Sequence, residues 1–319
     1  MLGHEIKEVM DAAGGVGIDS FAANGEANFG DEEGEAVFRQ ALESETTKGC
    51  DALVSAGSPE GTAKALAIAK SRRDKLKLID CTGALDQQPE ARICGSDSPT
   101  PSDGWLLVIA HPAADVISSL LKRLSHYQPV ACAVIEIFEP ASERGRLGLA
   151  ELQQQTTGLL SFKTLEKAVY DTQVSFALVP AYGQKSAYRL DAIEQRIERH
   201  VASLLGSAPG GPAIPMPSLR LIQAPVFHGY TISAWIEFAE HADAGRISNH
   251  LASDNIDVRT AEHEMPSNAG VAGQSGFSVG DIRVDRNNPR AIWLWAVADN
   301  LRIVADRVLE MLKTLEHTS

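Results

Sequence analysis

The sequence has little that would tie it to nucleic acid, a metal or a membrane. Its 319 residues carry 29 lysines and arginines against 42 aspartates and glutamates, a formal net charge of -13. That is the wrong sign for gripping a phosphate backbone, so no nucleic-acid partner is expected. The four cysteines, Cys50, Cys81, Cys94 and Cys132, lack metal-ligand spacing and read as reduced, mostly buried thiols. The nine histidines include no His-x-x-x-His pair, and His241, His250 and His263 lie in a polar region that reads as surface. No metal is therefore expected. No uninterrupted apolar run approaches the ~20 residues of a membrane-spanning helix, and the first residues do not resemble a signal peptide. A cytoplasmic protein without a membrane partner is the expectation. No internal repeat is visible.

What is present is an ordinary globular composition, 44% hydrophobic with a mean hydropathy of -0.10, in a chain long enough for two domains. Residues 1–112 alternate helix and strand signals, which predicts a parallel sheet with helices on its faces. Residues 3–12 read as a helix, 16–21 as a strand, 51–57 as a strand running into a turn, 61–70 as a helix and 76–80 as a strand. Turn chemistry stands at Asn24-Gly25 and Asn28-Phe-Gly30, and residues 97–103 read as a loop. Further on, 130–138 is a strong β run, 145–160 a helix and 174–179 a strand. Residues 191–205 read as a charged helix with Asp191 as its cap. Residues 206–217 look like a linker. Residues 219–227 and 232–239 resemble paired strands, 244–252 a short helix, 277–284 and 291–297 two more strands, and 299–315 a closing helix.

The stretch Leu106-Leu-Val-Ile-Ala-His111-Pro112-Ala113-Ala114-Asp115 stands at the centre. An apolar run stops at His-Pro and an amphipathic segment follows, so a buried strand should end in a sharp turn before a helix N-terminus. In open α/β folds such turns present reactive groups.

This stretch resembles the active-site turn of the aspartate-semialdehyde dehydrogenase family, Asn-Pro-Asn-Cys-Ser/Thr. Other segments resemble the same family in order. Ser55-Ala56-Gly57-Ser58 is similar to its Ser-Ala-Gly-Gly turn near the cofactor, and Asp80-Cys-Thr-Gly-Ala84 to its Asp-Asn-Ser-Ser-Ala segment. Residues 145–152 resemble the start of the helix after its Ser-Gly-Ala-Gly turn, and Pro225-Val-Phe227-x-Gly229 the strand carrying its catalytic histidine. Trp295-Ala-Val-Ala-Asp-Asn300-Leu-Arg302 is close to its Trp-x-Val-Ala-Asp-Asn-Leu-Arg signature.

The resemblance implies an NAD(P)-dependent aldehyde oxidoreductase of amino-acid biosynthesis with a split α/β architecture. A Rossmann-like domain would comprise residues 1–112 and 299–319. Residues 113–298 would form an α+β, mixed-sheet dimerisation and catalytic domain that builds a homodimer. NADP or NAD would meet Ser55, Ala56, Gly57, Ser58 and Asn300. The family's opening strand and most of its Gly-Ala-Thr/Ser-Gly-x-x-Gly motif find no counterpart before Met1-Leu2-Gly3, so the first strand of the Rossmann-like domain is expected to be missing and dinucleotide binding is in question.

The chemistry departs further. The family's cysteine thiolate attacks the substrate carbonyl carbon, and Ala114 stands in its place. Tyr230 replaces the general-base histidine, and a tyrosine titrating near pKa ~10 makes a poor base at neutral pH. Gln223 and Asp86 align with two anion-gripping arginines, and Glu139 with an active-site glutamine. Asp115 reads as a helix cap, Cys132 as a buried hydrophobe, and His228 lies two residues ahead of Tyr230. Three readings follow: a catalytically inactive relative, an enzyme with altered chemistry in the same cleft using His111, Asp115, Glu139, His228 and Tyr230, or a structural dimer subunit. Any small-molecule ligand is unidentified.

Overall fold

The structure is a computed structural model, and it describes residues 1–15, 17–22, 28–32, 35–97, 104–206, 213–260 and 262–316. In chain order the elements are α1 (Leu2–Ala13), β1 (Phe21–Ala22), β2 (Asn28–Glu32), β3 (Glu35–Ala41), β4 (Ala52–Ser55), α2 (Pro59–Ser71), β5 (Lys77–Asp80), β6 (Ala91–Cys94), β7 (Leu106–Ile109), α3 (Pro112–Tyr127), β8 (Val130–Glu139), α4 (Gly145–Leu160), α5 (Leu190–Gly206), β9 (Ser218–Gln223), β10 (Tyr230–Phe238), α6 (Ala244–Leu251), β11 (Ile256–Val258), β12 (Phe277–Val284), β13 (Ala291–Ala298) and α7 (Arg302–Glu316). They divide into two compact units, Met1–Ala110 with Val304–Ser319, and His111–Ile303. Among the described residues no helix is long and apolar enough to cross a membrane.

The first unit is built on an all-parallel sheet of order β4-β5-β7-β6. Every residue of β7 is buried, as expected of a parallel strand covered on both faces. Helix α2 follows β4 because Ser58 accepts a hydrogen bond from Gly61 N at 3.2 Å and Pro59 takes the first helical position, where its missing N–H costs nothing. Beside this sheet, β1 pairs with β3 in parallel and β2 pairs with β3 antiparallel.

The second unit carries a six-stranded mixed sheet of order β11-β12-β13-β10-β8-β9. Pairs β8–β9 and β11–β12 are parallel and the others antiparallel. Ile135, Ile137, Ile232, Ala234, Ile236, Leu221 and Leu294 are buried on one face, the face on which α3 and α5 pack. Val134, Phe138, Trp235, Trp293 and Trp295 alternate onto the other face and stay partly open, as the two-residue period of a strand requires.

Several expectations are corrected. Asn28-Phe-Gly30 is strand, paired with residues 37–39, rather than turn. Of 16–21, only Phe21 opens a strand, and Val16 lies outside the described residues. Residues 174–179 form no strand, only a bridge at Val179 to Gln223. Strands β9 and β10 do not pair with each other, because β8 runs between them. Cys132 is exposed, and only Cys94 of the four thiols is buried, because Cys132 pairs across from Glu237 on the open face. Asn24-Gly25, residues 98–103 and residues 207–212 of the linker segment lie outside the described residues.

Candidate functional site

Several chain segments of the second unit converge near the ends of β8, β9, β10 and β13. Helix α3 starts at Pro112 with His111 as its cap, the ring Nδ1 accepting from Ala113 N at 3.3 Å. Asp115 is buried in the first helical turn but is not the cap, correcting the expectation. The cap is one residue type off the usual list, and it decides the tautomer. With Nδ1 an acceptor, a neutral ring carries its proton on Nε2.

That proton points at Tyr230, the first residue of β10, whose hydroxyl lies 3.3 Å from His111 Nε2. The tyrosine O–H in turn donates to Glu139 Oε1 at 3.3 Å, at the end of β8. A directed chain results, from the Ala113 N–H through imidazole and phenol to a carboxylate. Burial, then Arg196, His200 and Arg144, hold the His111 pKa well below its usual value. Burial, then Glu139 and Glu143, push the Tyr230 pKa well above 10. Both groups stay neutral near pH 7, and Tyr230 is no base.

Glu139 is fully buried and forms an ion pair with Arg144. It also accepts from Tyr182 Oη at 3.4 Å. Tyr182 donates at 2.7 Å to Gln223 Oε1 as well, and Gln223 Nε2 donates to the carbonyls of Glu139 and Ala224 at 2.9 and 2.8 Å. Burial opposes the Arg144 charge, but Glu139, Tyr182 and Glu143 outweigh it and keep the guanidinium firmly protonated. Arg144 sits on a 3-10 turn, residues Ala141–Arg144. The turn packs so closely on α4 that a Cβ on Gly148 would strike Arg144 and approach Tyr170 Oη to 2.7 Å. Only glycine fits there.

Asn300, just beyond β13, ties the same region together. Its Oδ1 accepts from Ser142 Oγ at 3.1 Å and Gly229 N at 3.2 Å, and its Nδ2 donates to Glu143 Oε1 at 2.7 Å. Burial, then Glu139, raises the Glu143 pKa.

The structure thus brings together His111, Glu139, Gln223 and Tyr230 from the expected residues. Ala114 is fully buried in α3. His228 is half-exposed in the turn before β10 and makes none of the hydrogen bonds described above. Arg144 and Tyr182 were not expected from sequence. The signal was there in part: Glu143-Arg144 puts two charges just ahead of Gly145, where the resembled pattern is Ser-Gly-Ala-Gly. Tyr182 comes from a loop and left no signal. In the first unit, Ser55 Oγ is bonded to Thr62 Oγ1 at 2.6 Å and Ser58 Oγ caps α2. Ala56 and Gly57 form the turn between β4 and α2, and no atom stands within 4 Å of a Cβ built on Gly57. Asp86 is half-buried between β5 and β6. Among the described residues no cluster of His, Cys, Asp or Glu could hold a metal.

The chain thus holds an α/β unit with a parallel sheet and a unit with a mixed sheet, the latter carrying a polar centre at its strand ends. Residues 133–303, more than half of the chain, match the family profile "Semialdehyde dehydrogenase, dimerisation domain", and the chain belongs to this family. It is 30% identical over 242 residues to a USG-1 protein homolog of Pseudomonas aeruginosa, covering 73% of this chain and 69% of that one. It is 27% identical to the aspartate-semialdehyde dehydrogenase of Rickettsia bellii, covering 61% of this chain and 57% of that enzyme. A solved Pseudomonas aeruginosa structure described as a probable aspartate-semialdehyde dehydrogenase superposes with TM-score 0.84 at 24% identity, over 98% of this chain and 94% of that one. An aspartate-semialdehyde dehydrogenase from Candida albicans, solved with NADP, superposes with TM-score 0.65 at 12% identity, over 98% and 95% of the chains. These likenesses establish a Rossmann-like unit joined to a mixed-sheet dimerisation domain.

Proposed function

We propose that this chain is a non-catalytic member of its family that acts as a subunit of a homodimer. One observation carries the reading: the polar centre is closed on itself. The Glu139 carboxylate is answered by Arg144, Tyr230 and Tyr182, and Gln223 spends its amide on neighbouring carbonyls and Tyr182. No group is left poised as nucleophile or base, since Ala114 has no reactive atom, Tyr230 is held neutral and His111 uses Nδ1 as a cap. Losing a nucleophile and its base typically costs on the order of 10⁴–10⁶ in rate.

The residues offered to a dinucleotide do not fit it well. Ser55 and Ser58 hydroxyls and the Asn300 amide are already engaged inside the protein.

Dimerisation is supported by the family match over residues 133–303 and by the open sheet face. There Asp285 Oδ2 accepts from both Trp235 Nε1 at 3.0 Å and Trp293 Nε1 at 2.8 Å. This clip holds two indoles still, and Trp295 lies against Phe138 with ring centroids 6.1 Å apart. Rigid aromatic groups lose little entropy on association and anchor interfaces.

The deciding experiment is an assay of purified protein with aspartate semialdehyde, phosphate and NADP. No turnover is expected. Turnover abolished by iodoacetamide would overturn the proposal.

A further inference from the structure

Residues 161–189, between α4 and α5, contain no helix or strand, yet they are held as firmly as either. Two buried side chains of α4 pin them. Glu151 accepts from the backbone N–H of Val169 and, at 3.2 Å, of Tyr170. Gln155 donates to Glu166 O at 2.9 Å and Thr172 O at 3.0 Å, and accepts from Val174 N at 2.8 Å and Ser175 N at 3.2 Å. Farther along, a Cβ on Gly183 would strike the Asp171 carbonyl. Loops this long without regular structure are uncommon and usually functional.

This rigid loop displays apolar side chains in costly conformations. Phe162 has φ 55° at the C-terminal turn of α4, where Lys163 N bonds back to Gly158 O at 2.9 Å. Glycine is the usual occupant of that left-handed position, because a Cβ there is strained. Phe176 also has φ 55°. Neither is compensated by burial within the subunit: Phe162 is 99% exposed, Phe176 67% and Leu178 59%. Strain retained at exposed aromatic positions points to work done elsewhere.

One residue of the loop can be placed against the sheet. Val179 and Gln223 exchange backbone hydrogen bonds of 3.1 and 3.0 Å, which extends the sheet by one residue beyond β9. Opposed residues share a face and successive ones alternate. Val179 therefore lies on the Gln223 side, and Leu178 lies on the side of Ile222 and Phe138. That is the open face assigned above to the homodimer, and the loop lies inside the dimerisation-domain match. Six side chains, three from each copy, remove on the order of 1,000 Å² from water, much of the roughly 1,200–2,000 Å² that a stable interface buries.

We infer that residues 161–189 are an arm of the subunit contact, in which Phe162, Phe176 and Leu178 pack on a second copy of this chain. The inference rests on the homodimer reading. Sedimentation velocity over a dilution series tests it with the wild type, Phe162→Gly, and the double variant Phe176→Ser/Leu178→Ser. The wild type should be a dimer, and both variants should raise its dissociation constant at least tenfold while keeping the wild-type circular dichroism. Phe162→Gly should also unfold at higher denaturant than the wild type when both are diluted to monomers, since glycine relieves the strain. Variants that dimerise like the wild type overturn the arm and leave the homodimer standing. A wild type that is monomeric throughout the series overturns both.

Discussion

A carboxylate sealed from water needs a counter-charge and hydrogen bonds, or it takes up a proton instead. Glu139 has the Arg144 guanidinium and two tyrosine hydroxyls, so the charge stays and the neighbouring groups are spent on it. His111 is the opposite case: buried beside cations, it is held neutral. An unfolded chain takes a proton on this imidazole as pH falls below about 6.5, while the folded chain resists until well below that. Stability from His111 is thus full above about pH 6.5 and is lost as pH falls toward the folded pKa, by up to about 1.4 kcal/mol per pH unit. Glu143 runs the other way, since its raised pKa makes its contribution fall as pH rises through that value. Comparison with His111→Asn separates the two, because asparagine keeps a cap acceptor and does not titrate. The unfolding free energy of the wild type should drop relative to the variant by about 1 kcal/mol between pH 6.5 and 5.5, with no relative change from pH 7.5 to 8.5. Urea melts at those four pH values measure this, and parallel profiles would show that the buried imidazole is not neutral.

At the scale of elements, hydrophobic runs were legible where burial alone decides the strand. β4, β5, β7, β8 and β13 all follow such runs. Legibility failed where a partner overrode local preference. Asn28 and Gly30 favour turns, but pairing with β3 holds them extended. The β-branched and apolar residues of 174–179 favour a strand, but Gln155 takes the N–H groups of Val174 and Ser175. The same hub explains why part of the polar centre was unreadable: Tyr182 reaches Glu139 only because α4 holds residues 161–189 in place. Gln155→Ala should therefore cost about 3 kcal/mol, as buried backbone donors and acceptors of residues 166–175 lose the Gln155 amide. It should also open residues 161–189 to limited proteolysis at sites resistant in the wild type. Gln155→Glu, which keeps an acceptor for Val174 and Ser175, should fall between. An unchanged midpoint and cleavage pattern for Gln155→Ala would mean the loop is ordered by something other than α4.

For the whole molecule, the family fold carries a polar centre whose members Glu139, Arg144, Tyr182, Gln223 and Tyr230 are bonded to one another. The candidate positions Ala114, Tyr230, Gln223 and Glu139 were named one by one from the family resemblance. The dependence among Tyr230, Gln223 and Glu139 was not, because it runs through Arg144 and Tyr182, which those positions alone do not reveal. This dependence makes a strong prediction about reversal. In Ala114→Cys/Tyr230→His the nucleophile and the base return in name, but the new imidazole enters a site facing Glu139 Oε1, now 3.3 Å from the tyrosine hydroxyl. The carboxylate favours the protonated ring, which is then not free to serve as a general base. Gln223 still supplies no cation for an anionic substrate. The double variant should therefore fold and remain without turnover of aspartate semialdehyde when assayed with phosphate and NADP. Catalytic groups act as a unit, so partial restoration yields far less than its share. Turnover in the double variant alone would show that the Glu139–Arg144 pair does not close the site.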